Sequence, residues 1–271
     1  MNNSANRILT THVGSLVRPP DLIETLRARA NGQTIDEVDF ARRVKTSIGE
    51  VVQKQAESGI DIPSDGEYGK PNFSGYVNDR LSGFETRERN PDESPILNWG
   101  RDRTAFLEFY EQYEDVPGGA GVSTNPVICA SPITYTGESA VQNDIETLRA
   151  ALEGVDVEEA FIPAVAPGTI EGQRRNEHYD SMEDYLFGIA DAMHEEYRAI
   201  VDAGFILQID DPRIVVAYDL ANPAPSVEEY RKFAELRAEA TKRPLATSHQ
   251  SKSDTTCAGA VGTALTPPIS H

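Results

Sequence analysis

Short apolar runs that end in polar turns, each followed by a segment with helical spacing, recur along most of this chain. ANRILTTHVGS (5–15) reads as a buried strand running into a glycine turn. Pro19 and Pro20 then open a helix around Asp21–Arg29. Thr34-Ile-Asp-Glu37 has the capping-box spacing, a hydroxyl three residues before a carboxylate. Val38, Ala41, Val44, Ile48 and Val51 follow at helical intervals until Gly59. IDIPSDGE (60–67) is a short strand ending in a polar turn. After a charged stretch, NPVICASPI (125–133), EEAFIPAVAP (158–167) and FILQIDDP (205–212) read as strands. Helices are expected between and after them at Glu138–Leu152, Asp180–Gly204 and Ser226–Thr241. In the long helix Tyr185, Ile189, Met193, Tyr197 and Ile200 share a face. Strand–helix alternation of this kind builds a parallel sheet with crossover helices. No GxGxxG follows the first strand, which argues against a dinucleotide-binding fold. The expected fold class is therefore α/β, a (β/α)8 barrel.

The charged stretch interrupts the pattern. Residues 85–122 are rich in charge, with Pro and Gly at the ends, and read as an excursion with a helix near Arg103–Tyr113. The 271 residues suffice for one such barrel. A net charge of −19 repels phosphate backbones and anionic bilayers, so nucleic acid and membrane are excluded as partners. No apolar run approaches the roughly 20 residues of a transmembrane helix, and the N-terminus has no apolar signal core. A cytoplasmic protein is expected. Two cysteines, Cys129 and Cys257, make no disulfide framework. Cys129 reads as a small buried apolar residue in a strand.

In a barrel the chemistry sits where strands end and loops begin. The candidates at those points are His12, Gly14 and Ser15 after the first strand, Asp65 and Glu67 after the second, and Asp210 and Asp211 after the strand at 205–210. Thr134–Gly137 and Pro167–Thr169 end two others. Paired carboxylates make a negative field that suits a substrate ammonium group, or support for a metal site. Such residues also cap helices and accept backbone N–H bonds, and a lone histidine is often only hydrogen-bonded.

Taken together, THVGSLVRP (11–19), GIDIPSDGE (59–67), ITYTG (133–137), APGTIE (166–171) and LQIDDPRI (207–214) resemble the cobalamin-independent methionine synthase family, in particular its catalytic C-terminal barrel. The resemblance runs to about residue 241 and rests on the order and spacing of the motifs. It implies zinc at the barrel mouth, binding a thiol as thiolate for attack on a methyl or alkyl donor. It implies homocysteine as the acceptor, its carboxylate side held at Gly14 and Ser15 and its amino group at Glu67 and Asp210. Alternatives are alkyl transfer to another thiol such as coenzyme M, and a metal-free binding protein. A uroporphyrinogen decarboxylase-like barrel ranks last, because it needs basic residues to hold several carboxylates.

One departure is chemical. The family's zinc ligands are a His-x-Cys pair, a Glu and a final Cys, and this chain contains no His-x-Cys. Cys257 alone is no convincing ligand, so zinc binding by this chain is not expected. The missing strand should begin where residues 246–271 form an aperiodic Thr/Ala/Pro-rich tail. Read one frame over, with permitted codons, VGTALTP becomes Trp-His-Gly-Pro-His-Thr. The whole stretch from Leu245 becomes RDIPPEQVRYHVCWGSWHGPHTTDIP, with the sought pair as HVC. The expected organisation is a barrel at 1–245 carrying the 85–122 excursion, then an out-of-frame tail at 246–271. That barrel would be incomplete, with roughly six of eight strands, and its activity impaired.

Overall fold

The computed structural model describes residues 6–30, 32–90, 92, 100–115 and 125–246. The expected tail from residue 247, with His249, Cys257 and His271, and residues 91, 93–99 and 116–122 of the excursion lie outside them. Among the described residues no helix is long and apolar enough to cross a membrane.

The helices form close to where the periodicity places them. α1 (Pro20–Ala30) begins on a proline. α2 (Glu37–Glu57) is capped by Asp36, whose carboxylate accepts from the backbone N–H of Val38 and Asp39, both at 3.0 Å. The cap therefore sits two residues beyond the expected Thr34. That start turns Phe40, Val44, Ile48, Val51 and Val52 inward. Val38 and Ala41, expected on the same face, are exposed in the first turns. α5 (Glu138–Ala151) and α7 (Met182–Asp202) match expectation, and the Ser181 hydroxyl caps α7 at the Asp184 N–H. Tyr185, Ile189, Met193, Tyr197 and Ile200 are all buried on α7.

α9 (Val227–Ala246) runs past the expected end at Thr241 with Pro244 inside it. The Pro244 carbonyl accepts from His194 on α7 at 2.6 Å, tying down the last turn. Two short helices, α6 (Pro167–Gly172) and α8 (Arg213–Leu220), follow strand ends directly and were not foreseen.

The sheet departs further. β3 (Phe161–Val165) and β5 (Ile206–Asp210) pair in parallel over five residues, Phe161 opposite Ile206 and Val165 opposite Asp210. β3 is buried at every position, as a parallel strand covered on both faces should be. The first two expected strands pair only through single parallel bridges, Thr11 with Ile62 and Ser64 with Phe161. The run at 125–133 does not join this sheet. Its core, β2 (Val127–Cys129), pairs antiparallel with β1 (Phe84–Thr86) and parallel with β4 (Arg175–Asn176). The β1–β2 pairing draws together the two ends of the excursion. Within it, α3 (Gly100–Ala105) and α4 (Leu107–Asp115) occupy the place of the single expected helix. The described strands thus make a mixed α/β fold whose sheet does not close on itself.

Behind β3 lies a buried polar hub. Glu196 on α7 is fully buried and receives the Tyr76 hydroxyl at 2.7 Å, the Tyr135 hydroxyl at 2.9 Å and the Arg80 guanidinium at 3.0 Å. Arg80 also reaches Asp144 on α5. Burial pushes the Glu196 carboxyl up, but the charges of Arg80 and Lys70 and the Tyr76 hydroxyl outweigh it, so its pKa lies below the ordinary 4.5. A carboxyl depressed in the folded state stabilises it above the unfolded value, and that contribution is lost as pH falls below about 4.5.

Removing one partner of a buried pair costs about 3–5 kcal/mol. Arg80→Met should lower the urea unfolding free energy by that order at pH 7, and Arg80→Met with Glu196→Gln should recover part of it. Urea titrations of the three proteins check this, and equal stability of Arg80→Met and the parent would contradict it.

Candidate functional site

The turns after the first two strand segments are knitted into one unit. Gly14, with φ +80°, swings the chain so that the Ser15 hydroxyl donates to Glu67 Oε2 at 2.5 Å. The Leu16 N–H donates to the Gly66 carbonyl at 3.1 Å. Arg18 donates to the carbonyls of Glu67 and Lys70, at 2.7 and 3.1 Å, and the Tyr68 hydroxyl donates to the Val17 carbonyl at 2.6 Å. Gly66, with φ +64°, sits in a conformation that favours glycine, and a Cβ there would be crowded, 3.1 Å from Tyr68 and 3.2 Å from Leu16.

Glu67 itself has φ +60° and is the one non-glycine residue with positive φ among those described. That conformation costs a side-chain-bearing residue about 1–2 kcal/mol. Asp65 enforces it, its Oδ1 accepting from the Glu67 N–H at 2.9 Å. Burial raises the Asp65 pKa, and the Lys70 charge partly offsets this. Glu67 is 1% exposed, and its Oε1 is buried without a hydrogen-bond partner. Strain and an unanswered carboxylate oxygen coincide on one residue.

Asp210, at the end of β5, lies in the electrostatic reach of Glu67 and Lys70. Its Oδ1 accepts from Gln208 Nε2 at 3.0 Å. Burial is the main cause that lifts its pKa to about 6; the Gln208 bond lowers it, Glu67 raises it and Lys70 lowers it. The structure therefore gathers Gly14, Ser15, Asp65, Glu67 and Asp210.

The other two candidates face elsewhere. Asp211 accepts from the Thr169 hydroxyl at 2.9 Å and meets the backbone N–H groups of Arg213 and Ile214 at the start of α8. Burial raises its pKa. His12 bonds through Nε2 to Gln55 on α2 at 2.8 Å and packs edge-on to Phe161 at 5.5 Å. Gln55 also bonds the backbone of Ser64 on both sides, so His12 helps pin α2 to the strands.

Three residues of this region were not foreseen: Arg18, Lys70 and Gln208. Gln208 stands two residues from Asp210 on one strand, and that period-two relation could have marked it. A lysine after a polar turn carries no such signal, because lysine is usually a surface residue.

Among the described residues no group of three or more His, Cys, Asp or Glu side chains is placed to hold a metal ion. Cys129 is buried, its thiol donating to the Ser131 carbonyl at 3.5 Å, and burial raises its pKa. The described residues do not fit a His, Cys and Glu zinc site.

The strain at Glu67 is measurable. Glu67→Gly should be more stable than Glu67→Ala by roughly 0.5–1 kcal/mol, since only glycine adopts this φ freely. Urea unfolding of the two proteins side by side checks it; an alanine variant as stable as the glycine one would remove the strain.

No family model matches the chain. The methionine synthase of Sulfolobus acidocaldarius is 26% identical over 220 residues, covering 79% of this chain and 54% of that protein. The methionine synthase of Saccharolobus solfataricus is 25% identical over 206 residues, covering 76% and 53%. The chain spans about half the length of these curated relatives. Two solved structures share its fold. One is the B12-independent methionine synthase of Shewanella sp. W3-18-1 in complex with selenomethionine, with a TM-score of 0.59 and 18% identity, covering 92% of this chain and 59% of that one. The other is the putative vitamin-B12-independent methionine synthase of Listeria monocytogenes, with a TM-score of 0.59 and 20% identity, covering 90% and 63%. By sequence the chain is similar to proteins named methionine synthase, and it shares its fold with B12-independent methionine synthases.

Proposed function

We propose that the chain carries the acceptor-binding part of a methionine synthase-type (β/α)8 barrel, and that its strand ends hold an aminothiol such as homocysteine. In the full enzyme a methyl donor transfers its methyl group to the sulfur. The continuous parallel order from Thr11 through Ile62 and Ser64 to β3 and β5 supports the barrel. So does the fold shared with the Shewanella protein, whose bound selenomethionine is an α-amino acid of the product type.

The observation that carries the binding assignment is the convergence of Glu67 and Asp210. Glu67 is held in a costly conformation with a buried oxygen left open, and Asp210 is poised near pH 6. A ligand ammonium would bring a charged donor to two carboxylates whose side-chain donors, the Ser15 hydroxyl and the Gln208 amide, are neutral. Ser15 holds Glu67 in place, and the Gly14–Ser15 backbone lies beside it for the carboxylate end.

Zinc in this family activates the thiol, and the described donors do not fit it. No transfer step is assigned to this chain, and its activity is taken to be impaired. The organisation proposed is a barrel unit at 1–245 in the cytoplasm, with the excursion at 85–122, and an out-of-frame string at 246–271 replacing the strand that carries HVC.

Two experiments test this. Calorimetry at pH 7.5 should show homocysteine binding, weakened at least tenfold by Asp210→Asn, the order expected for a lost charged hydrogen bond of about 1.5–3 kcal/mol. Asp210 must be ionised to hold the ammonium. Affinity should therefore hold above pH 6 and fall about tenfold per unit below it. Equal binding of 3-mercaptopropionate, a thiol with no amine, would sink the assignment. Sequencing genomic DNA and transcript across codons 236–271 should show a one-base change that restores HVCWGSWHGPH; an intact frame as written would dispose of the frameshift.

A further inference from the structure

Lys70 is 3% exposed, yet no carboxylate forms a direct ion pair with it among the described residues. Its ammonium donates to the Pro163 carbonyl at 2.6 Å and lies over the Tyr76 ring, 4.3 Å from the centroid. Those two contacts place it between two sets of carboxylates. On one side the Tyr76 hydroxyl is bound to Glu196. On the other, Pro163 is the register partner of Gln208, whose amide holds Asp210. Glu67 is three residues away in the same turn, and the Lys70 N–H donates to the Glu67 carbonyl at 3.1 Å.

We propose that Lys70 is a positioning residue: its buried ammonium is the fixed counter-charge that keeps Asp210 ionised and available to a ligand's ammonium. This rests on the amine-binding reading above. An ammonium buried against one carbonyl and one ring face has given up most of its hydration. It stays charged only in a field of anions, and Asp65, Asp210 and Glu196 each feel it. By the same coupling it holds a proton off Asp210. The charged groups facing Asp210 are Glu67 and Lys70, both from the turn after Ser64. Its strand partner β3 brings none, its own strand brings the Gln208 amide, and Glu196 on α7 meets Lys70 from the far side. Of these, only Lys70 opposes protonation of Asp210 by charge.

The test reads Asp210 directly, by carboxyl 13C NMR titration of the ligand-free protein, with Asp210→Asn giving the assignment. Lys70→Met and Lys70→Gln should both move the Asp210 midpoint up from about 6. Lys70→Gln retains a donor for Pro163 without the charge. Lys70→Arg should bring the midpoint back to within a few tenths. A purely structural lysine would leave the midpoint where it is, and that result in either neutral variant overturns the proposal. In homocysteine calorimetry the lower limb of the pH profile should move with the midpoint. A shifted midpoint with no homocysteine binding at any pH would reject the amine ligand and leave the counter-charge standing.

Discussion

Glu196 carries a negative charge into a place without water, and much of the structure is arranged around meeting it. Tyr76 and Arg80 from one turn and Tyr135 from a separate stretch of chain do so, and Arg80 recruits Asp144 from α5. The hub therefore fixes where the turn at 75–79 sits against α5 and α7. A buried ion pair is poor evidence of net stability, because desolvation cancels much of the attraction. Its effect here is on geometry. Each partner is worth far more in place than removed, so the elements that carry them have one mutual arrangement. Tyr76 also donates a face to Lys70, which carries the same charge accounting forward to the strand ends.

The strand ends show the converse economy. The hub satisfies its carboxylate with three donors, whereas Glu67 keeps a buried oxygen without one and sits at φ +60°. Natural folds hold such strain only where neighbours over-determine it. Here the neighbours are plain: Asp65 holds the Glu67 N–H, Arg18 its carbonyl, Ser15 its carboxylate. Three contacts spent on one residue show that its direction matters more than its comfort.

Periodicity made the helices legible because a helix is a local object. The apolar positions of α5 and α7 declare their buried faces without reference to anything distant. The sheet was only partly legible, since pairing is decided by partners far along the chain. Nothing in PVIC distinguishes a strand of the main sheet from β2, which pairs with residues on either side of it in sequence. The candidate site divides the same way. Glu67 and Asp210 stand out as carboxylates at strand ends, and Asp210 and Asp211 look alike in sequence. Folding separates them, since alternation turns Asp210 inward beside Gln208 while Asp211 faces Thr169 and α8. Lys70 was invisible, because only the buried fold converts a surface type of residue into an internal charge.

Asp210 gives the arrangement its direction. A carboxyl at an exposed position would ionise near 3.8, and one in a wholly apolar pocket would stay protonated at pH 7; this one lies at about 6. At neutral pH it is ionised, but at a cost set by burial and by Glu67. In the proposed site an incoming cation would oppose both causes, because its charge counters that of Glu67 and its N–H groups give Asp210 the donors that burial removed. A neutral ligand would not counter the charge. Under the proposed assignment the geometry around Asp210 would therefore favour an ammonium, by burial and charge alone, before any contact with the rest of the ligand is made.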